Sequence, residues 1–363
     1  YSEKEGVSCT PYVMKADIQT GTKAVGIFSA PDKEPVPPAT IPTPNKSYIK
    51  YLGSQMTLGE GSTGFYVNGK TELDTTNKTT TINLDGGLVA YVTQNSEFVG
   101  GKSEVNLSKS AIGVYGERGA KVDVGSWTFN NNGNAAEEVR LKEGQAKVTT
   151  NKDLKPKMVL THVINGETYL DSGKTVTSVD DGAIKAEQNI GLMAQGLKAP
   201  TVPGITWKEA NYEIENYGTI DFSAAEKSTA IYVNSARAKN DGTIKVGKNS
   251  IAIYGFYDKN TRKYDGATGN PNKLEIETTG NSKISLGDQS TGMYLINAEK
   301  INNIGGEITS ESGATKNVGI YAINGQDADD ENNKTLTMTT ATNIKLGNGS
   351  VGLYSKGQSN ARS

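Results

Sequence analysis

Gly242-Thr-Ile-Lys-Val-Gly-Lys-Asn-Ser-Ile-Ala-Ile-Tyr254 holds two short runs that return along the chain. They recur as Ser282-Lys-Ile-Ser-Leu-Gly287 followed by Ser290-Thr-Gly-Met-Tyr294, and as Thr342-Asn-Ile-Lys-Leu-Gly347 followed by Ser350-Val-Gly-Leu-Tyr354. In the first run Ile244 and Val246 alternate with Thr243 and Lys245. Period-two alternation over so few residues marks a strand with one buried face. The second run is a small or polar residue, an aliphatic or Thr, Gly or Ala, an apolar residue, and usually Tyr. Its ten copies end at Phe28, Tyr66, Tyr91, Tyr115, Met193, Tyr232, Tyr254, Tyr294, Tyr321 and Tyr354.

The shortest intervals are 22 residues (Tyr232 to Tyr254), 24 (Tyr91 to Tyr115) and 25 (Tyr66 to Tyr91), and the longest is 78 (Tyr115 to Met193). A fixed minimum with irregular excess describes a solenoid rung decorated by insertions. Insertions are tolerated because loop-closure entropy grows only logarithmically with length. A third, weaker element precedes the others, as in Ala236–Gly242 and Ala298–Ile304. Two or three strands per rung, with Gly and Asn at sharp corners, describe a parallel β-helix. Helical repeats need apolar residues three and four apart, and propeller blades are nearer forty residues long and carry other signatures.

The expected architecture is therefore all-β: a right-handed parallel β-helix of about a dozen rungs, each adding ~4.8 Å. It forms one elongated domain over 1–363, with insertions at 31–50, 127–180, 196–217, 256–273 and 325–335. Ile244, Val246, Ile284, Leu286, Ile344 and Leu346 belong to the buried column. In Ser250–Tyr254, Ile251 and Ile253 fall on one side and Ala252 and Tyr254 on the other. Two arrangements fit: aliphatics inside with an outer tyrosine ladder, each ring over a Gly of the next rung, or tyrosines inside beside small residues. The outer ladder is preferred, because a buried phenol needs a hydrogen-bond partner.

Of the 363 residues 35% are hydrophobic, 42 are Gly, and the net charge is -2. A mean hydropathy of -0.51 suits a thin rod with much surface. Balanced charge gives no footprint for nucleic acid or anionic lipid. No stretch is apolar enough to cross a membrane as a helix. The chain opens on Tyr1 without an initiator Met or a signal-peptide pattern, which predicts a processed or excised piece of something larger. Cys9 is the single cysteine. It is read as an unpaired thiol near a frayed end, the alternative being a bridge to a cysteine outside the fragment.

The Tyr-ending motif, the Gly-Thr-Ile-x-Val-Gly strands and the Asn-Asp-Gly corners resemble the passenger domains of bacterial type V autotransporters. Asn249-Ser-Ile-Ala-Ile-Tyr-Gly255 and Lys316-Asn-Val-Gly-Ile-Tyr321 are similar to the very large outer-membrane adhesins of fusobacteria. The likeness covers about 24–357 apart from the insertions. It implies secretion through a C-terminal translocator barrel outside this chain, display at the outer membrane and cell surface, and attachment to a host cell-surface protein or glycan or to partner bacteria.

Binding is expected on insertions, since loops held by a rigid scaffold usually carry function. Pro31, Pro35, Pro37, Pro38, Pro42 and Pro44 predict an extended excursion. Within the largest gap, Gly125–Phe129 reads as a strand, Ala135–Lys142 as a short helix, and Val163–Leu170 as a hairpin around an Asn-Gly turn. The single histidine, His162, shows no partners in the sequence for acid–base or metal work. Trp207, Tyr257, Arg262 and Tyr264 are the candidate ligand-binding residues, because Trp, Tyr and Arg dominate interface energetics. The competing reading has such rings capping the core. The acidic run Asp327–Asn333 lacks EF-hand and calcium β-roll spacing and reads as a solvated loop. No catalytic motif, metal site or cofactor is expected. A non-catalytic adhesin is thus the first reading, with a polysaccharide lyase or hydrolase on the same scaffold, or a passive spacer shaft, as alternatives.

Overall fold

The computed structural model describes residues 12–29, 47–76, 78–196, 212–257, 274–298, 300–303, 305–323, 336–340, 342–356 and 359–362. These hold 37 strands and no helix. Every ladder between them is parallel, apart from one isolated antiparallel bridge, Asp181 to Ile184. The strands repeat in threes. One turn is Arg237–Asn240, Thr243–Val246 and Ile251–Phe256; the next is Glu275–Thr278, Lys283–Leu286 and Thr291–Ile296. Corresponding strands form a 13-stranded face, a 12-stranded face, and a third face divided into sheets of five and seven. The described residues form a three-sided parallel β-helix of twelve complete rungs.

Ile244 pairs with Ile284 and Val246 with Leu286, and all four are buried. Ile344 continues the column, and with Leu346 it is partly buried against the core. Aliphatic stacking of this kind removes about 1.5–3 kcal/mol worth of apolar surface per side chain from water, and one core cluster runs from Ile27 to Ala322.

The five-residue motif has a physical reason at each position. The residue before it turns the corner with a left-handed backbone, as at Lys227, Asn249, Gln289 and Lys316. Its polar first residue then joins an internal hydrogen-bond ladder. The amide of Asn189 donates to Ser228 Oγ, Ser228 to Ser250 Oγ, Ser250 to Ser290 Oγ, Ser290 to Asn317 Oδ1, and Asn317 to Ser350 Oγ. The glycine faces inward where adjacent rungs crowd: a Cβ at Gly113 or Gly292 would lie 2.5 Å from a carbonyl oxygen of the next rung. The apolar fourth residue enters the core, and the Tyr points out.

Several sequence expectations need correction. Ile251 and Ile253 do not share a side: Ala252 and Ile253 are both buried, while Ile251 and Tyr254 face outward. The strand bends between two inward residues, so simple alternation fails there. Residues 127–180 are not an insertion but regular rungs, because Ala136–Lys142 and Met158–Ile164 are strands of the 12-stranded face. The helix expected at 135–142 is therefore a strand, flanked in register by Ala111–Gly116 and Met158–Ile164. Val163–Leu170 is a corner between two faces, not a hairpin, with Asn165 supplying the left-handed residue. Of the other expected insertions, 31–46, 197–211, 258–273 and 325–335 lie outside the described residues, as does Cys9, whereas Ser47–Tyr51 and Ile214–Asn216 are strands.

Candidate functional site

The outer side of the 12-stranded face carries a column of twelve side chains in register. They are Phe28, Tyr66, Tyr91, Tyr115, Arg140, His162, Met193, Tyr232, Tyr254, Tyr294, Tyr321 and Tyr354. Centroids are 5.5 Å apart for Tyr66–Tyr91, 5.6 Å for Tyr254–Tyr294 and 4.7 Å for Tyr294–Tyr321, with planes within 14°. Where neighbouring rungs both carry a ring, the rings stack on each other rather than over a glycine, because the rung repeat of ~4.8 Å is itself a stacking distance. Such pairs contribute about 0.5–1.5 kcal/mol each, so the ladder is chiefly a brace for the shaft.

Three non-aromatic residues interrupt it. Arg140 donates from Nε and Nη2 to the two carboxylate oxygens of Glu137 at 2.6 and 2.5 Å. His162 sits beside them, with Nδ1 3.3 Å from Glu137 and Nε2 3.0 Å from Gln195 Oε1. The sequence showed no partners for His162, since these residues lie 25 and 33 positions away and meet only through the coil. Burial alone would raise the Glu137 pKa, but hydrogen bonds from His162 and Arg140 outweigh it and bring the carboxyl from 4.5 down to about 2. A depressed carboxylate contributes stability above its unfolded pKa and loses it as pH falls through the folded value. Stability is therefore expected to drop by about 2–3 kcal/mol from this group between pH 4.5 and 2. Urea denaturation across that window should find this component missing in Glu137→Gln.

Beneath the interruption lies a second charged pair, inside the core. Lys152 contacts Glu138, both side chains are 1% exposed, and Lys152 Nζ also donates to the Gly125 carbonyl at 3.0 Å. Lys152 occupies the column of Val176 and Ile220. Here the third face divides, between Ser126–Asn130 and Lys152–Leu154. Neither side chain reaches solvent, so the pair has a structural role.

Of the four sequence candidates, Trp207, Arg262 and Tyr264 lie outside the described residues. Tyr257 is 6% exposed and belongs to the core cluster. It follows outward-facing Phe256 and turns inward as its amide joins the Ile296 carbonyl. Tyr257 is therefore not an exposed anchor.

A concave surface occurs instead at the corner between the 13-stranded and third faces. It is a groove of about 390 Å³, built from three successive corners, Tyr217–Thr219, Asp241–Thr243, and Gly280 with Asn281 and Lys283, with Gly173 of the preceding corner at one end. Glycine lets these corners stack closely. A Cβ at Gly218 or Gly242 would strike backbone carbonyls at 2.5 and 2.1 Å, so these positions admit no side chain. Gly173 and Gly280 open into space.

Tyr217, 37% exposed, forms part of the wall. Its hydroxyl donates to the Glu215 carboxylate, and that bond together with burial pushes its pKa up to about 12. The phenol thus stays protonated at neutral pH. Lys239 Nζ lies 5.9 Å from the ring centroids of both Tyr217 and Tyr212, and Tyr212 donates to Glu277 at 2.7 Å. On the far side Asp241 accepts from Thr279 Oγ1 and from Asn281 Nδ2. Tyr217 is not among the sequence candidates. Among the described residues no group of three or more His, Cys, Asp and Glu side chains is placed to hold a metal ion.

Comparison with known proteins finds no match to this chain among family models, curated proteins or solved structures.

Proposed function

We propose that the chain is a length of a bacterial surface adhesin, an autotransporter passenger that attaches to host cells or to other bacteria without catalysis. One observation carries this reading: a continuous twelve-rung shaft holds an open groove with an aromatic wall and a single carboxylate, Asp241, in its lining. Hydrolysis of a glycosidic bond ordinarily uses two carboxyl groups set about 5–9.5 Å apart, whereas attachment needs only a rigid, solvent-facing surface. The shaft is ~50–60 Å long at ~4.8 Å per rung, and its ladders fix the groove relative to whatever the rod is joined to. Display through a translocator barrel belonging to the parent protein is part of the same proposal, and rests on the motif resemblance.

The reading predicts saturable binding of the purified protein to host cells or bacteria, with polysaccharides recovered intact after incubation. Release of shortened or unsaturated saccharide would identify a polysaccharide-acting enzyme. Neither binding nor turnover would leave a spacer.

A further inference from the structure

We propose that the groove beside Tyr217 binds a neutral oligosaccharide laid along the rod axis. The proposal rests on the adhesion reading and names the ligand class of that site.

Three features select this chemistry. The first is the wall. A pyranose ring has an apolar C–H face and a rim of hydroxyls, which suits an exposed phenol beside polar side chains. Tyr217 supplies that face with its hydroxyl tethered to Glu215, so little side-chain freedom is lost on binding. The second is the floor and rim. Gly218 and Gly242 let the successive corners stack closely, and Thr219, Thr243 and Asn281 offer donors and acceptors on successive rungs. One Asp and one Lys line the groove, which favours neither an anionic nor a cationic ligand.

The third feature disfavours a peptide. An extended peptide gains affinity from the free edge of a sheet, yet the main chain here is already paired. Thr219 N donates to the Lys174 carbonyl, Thr243 N to Gly218, and Lys283 N to Gly242. A ligand must therefore bind through side chains and ring faces. The rungs repeat every ~4.8 Å, so the three corners present these groups in a line, matching a linear saccharide rather than a globular protein surface.

Gly280 allows a clean test. A Cβ there meets nothing within 4 Å, and its backbone is not among the left-handed glycines. Gly280→Trp should therefore fill the groove without disturbing the coil. Wild type is screened on an array of neutral and acidic oligosaccharides, and the best neutral hit is titrated by calorimetry. Tyr217→Ala and Gly280→Trp are each expected to weaken it at least about tenfold, while Tyr217→Phe, which keeps the ring, stays within about threefold. If Gly280→Trp shifts the melting profile, the Ala and Phe pair decides alone. The proposal is overturned if wild type binds no neutral saccharide, or if Tyr217→Ala binds as well as wild type. Cell binding without saccharide binding overturns the groove and leaves adhesion standing; loss of both removes the two together.

Discussion

Replacing Lys152 with Met is expected to destabilise the rod by about 3–5 kcal/mol, because it leaves Glu138 buried without its cation. Both side chains are 1% exposed, so water cannot substitute for the missing partner. Burial pushes the Glu138 carboxyl up, to about 7 even with Lys152 beside it. Without Lys152 that rise is unopposed, and the sign follows: a carboxyl whose folded pKa exceeds its unfolded value of 4.5 favours the fold when protonated. Both proteins should therefore gain stability as pH falls from neutrality toward 4.5, and the deficit of the single variant against wild type should be largest above neutrality, where wild-type Glu138 is charged and paired. The double change Glu138→Leu with Lys152→Val installs the residue types found in the next rung, Leu160 and Val176. It should be neutral or stabilising by about 1–4 kcal/mol, because replacing a buried pair with packed hydrophobes avoids desolvating two charges. Denaturant titration of wild type, the single and the double variant at two pH values measures all three outcomes. A single variant as stable as wild type would mean that Glu138 is not sealed in the core.

Ile253→Asp should be comparably damaging, at more than about 4 kcal/mol, while Ile251→Asp on the same strand should cost about 1 kcal/mol or less. Ile253 is fully buried between Ile231 and Met293, whereas Ile251 lies on the outer side. The contrast turns on one feature, the bend that puts Ala252 and Ile253 inside together. Because each rung contacts only its neighbours, hydrogen exchange in Ile253→Asp should lose protection first around Thr229–Asn234 and Thr291–Ile296, the strands on either side. Equal damage from the two substitutions would restore strict alternation.

The rungs with Tyr in the ladder were legible because one residue type marks one position on every turn. Ser starts the internal polar ladder, Gly or Ala fits the crowded inward position, and Tyr stacks outside. Two rungs were not legible because that marking is replaced. Glu138-Val-Arg140 and Leu160-Thr-His162 stand where Gly-x-Tyr stands elsewhere, so the interval from Tyr115 to Met193 read as a long insertion. Local propensity also misled at Ala135–Lys142, whose Glu, Arg and Lys favour helix. Ladder pairing on both sides and the burial of Val139 and Leu141 override it. At Asn165–Gly166 the turn chemistry was right but the topology was not, since the same left-handed residue that closes a hairpin also turns a coil corner. The groove is a further case. Its glycines are spread from Gly173 to Gly280 and become one floor only when the rungs stack. No local pattern distinguishes them from the other corner glycines.

Native mass spectrometry of the intact protein with a panel of neutral oligosaccharides tests the functional account most directly, because one spectrum reports both binding and the fate of the ligand. The account predicts an adduct equal in mass to the unaltered saccharide, saturating with concentration and lost in Tyr217→Ala while the protein's charge-state distribution stays that of the folded rod. An adduct that persists unchanged in Tyr217→Ala, or the appearance of cleaved saccharide, would contradict it.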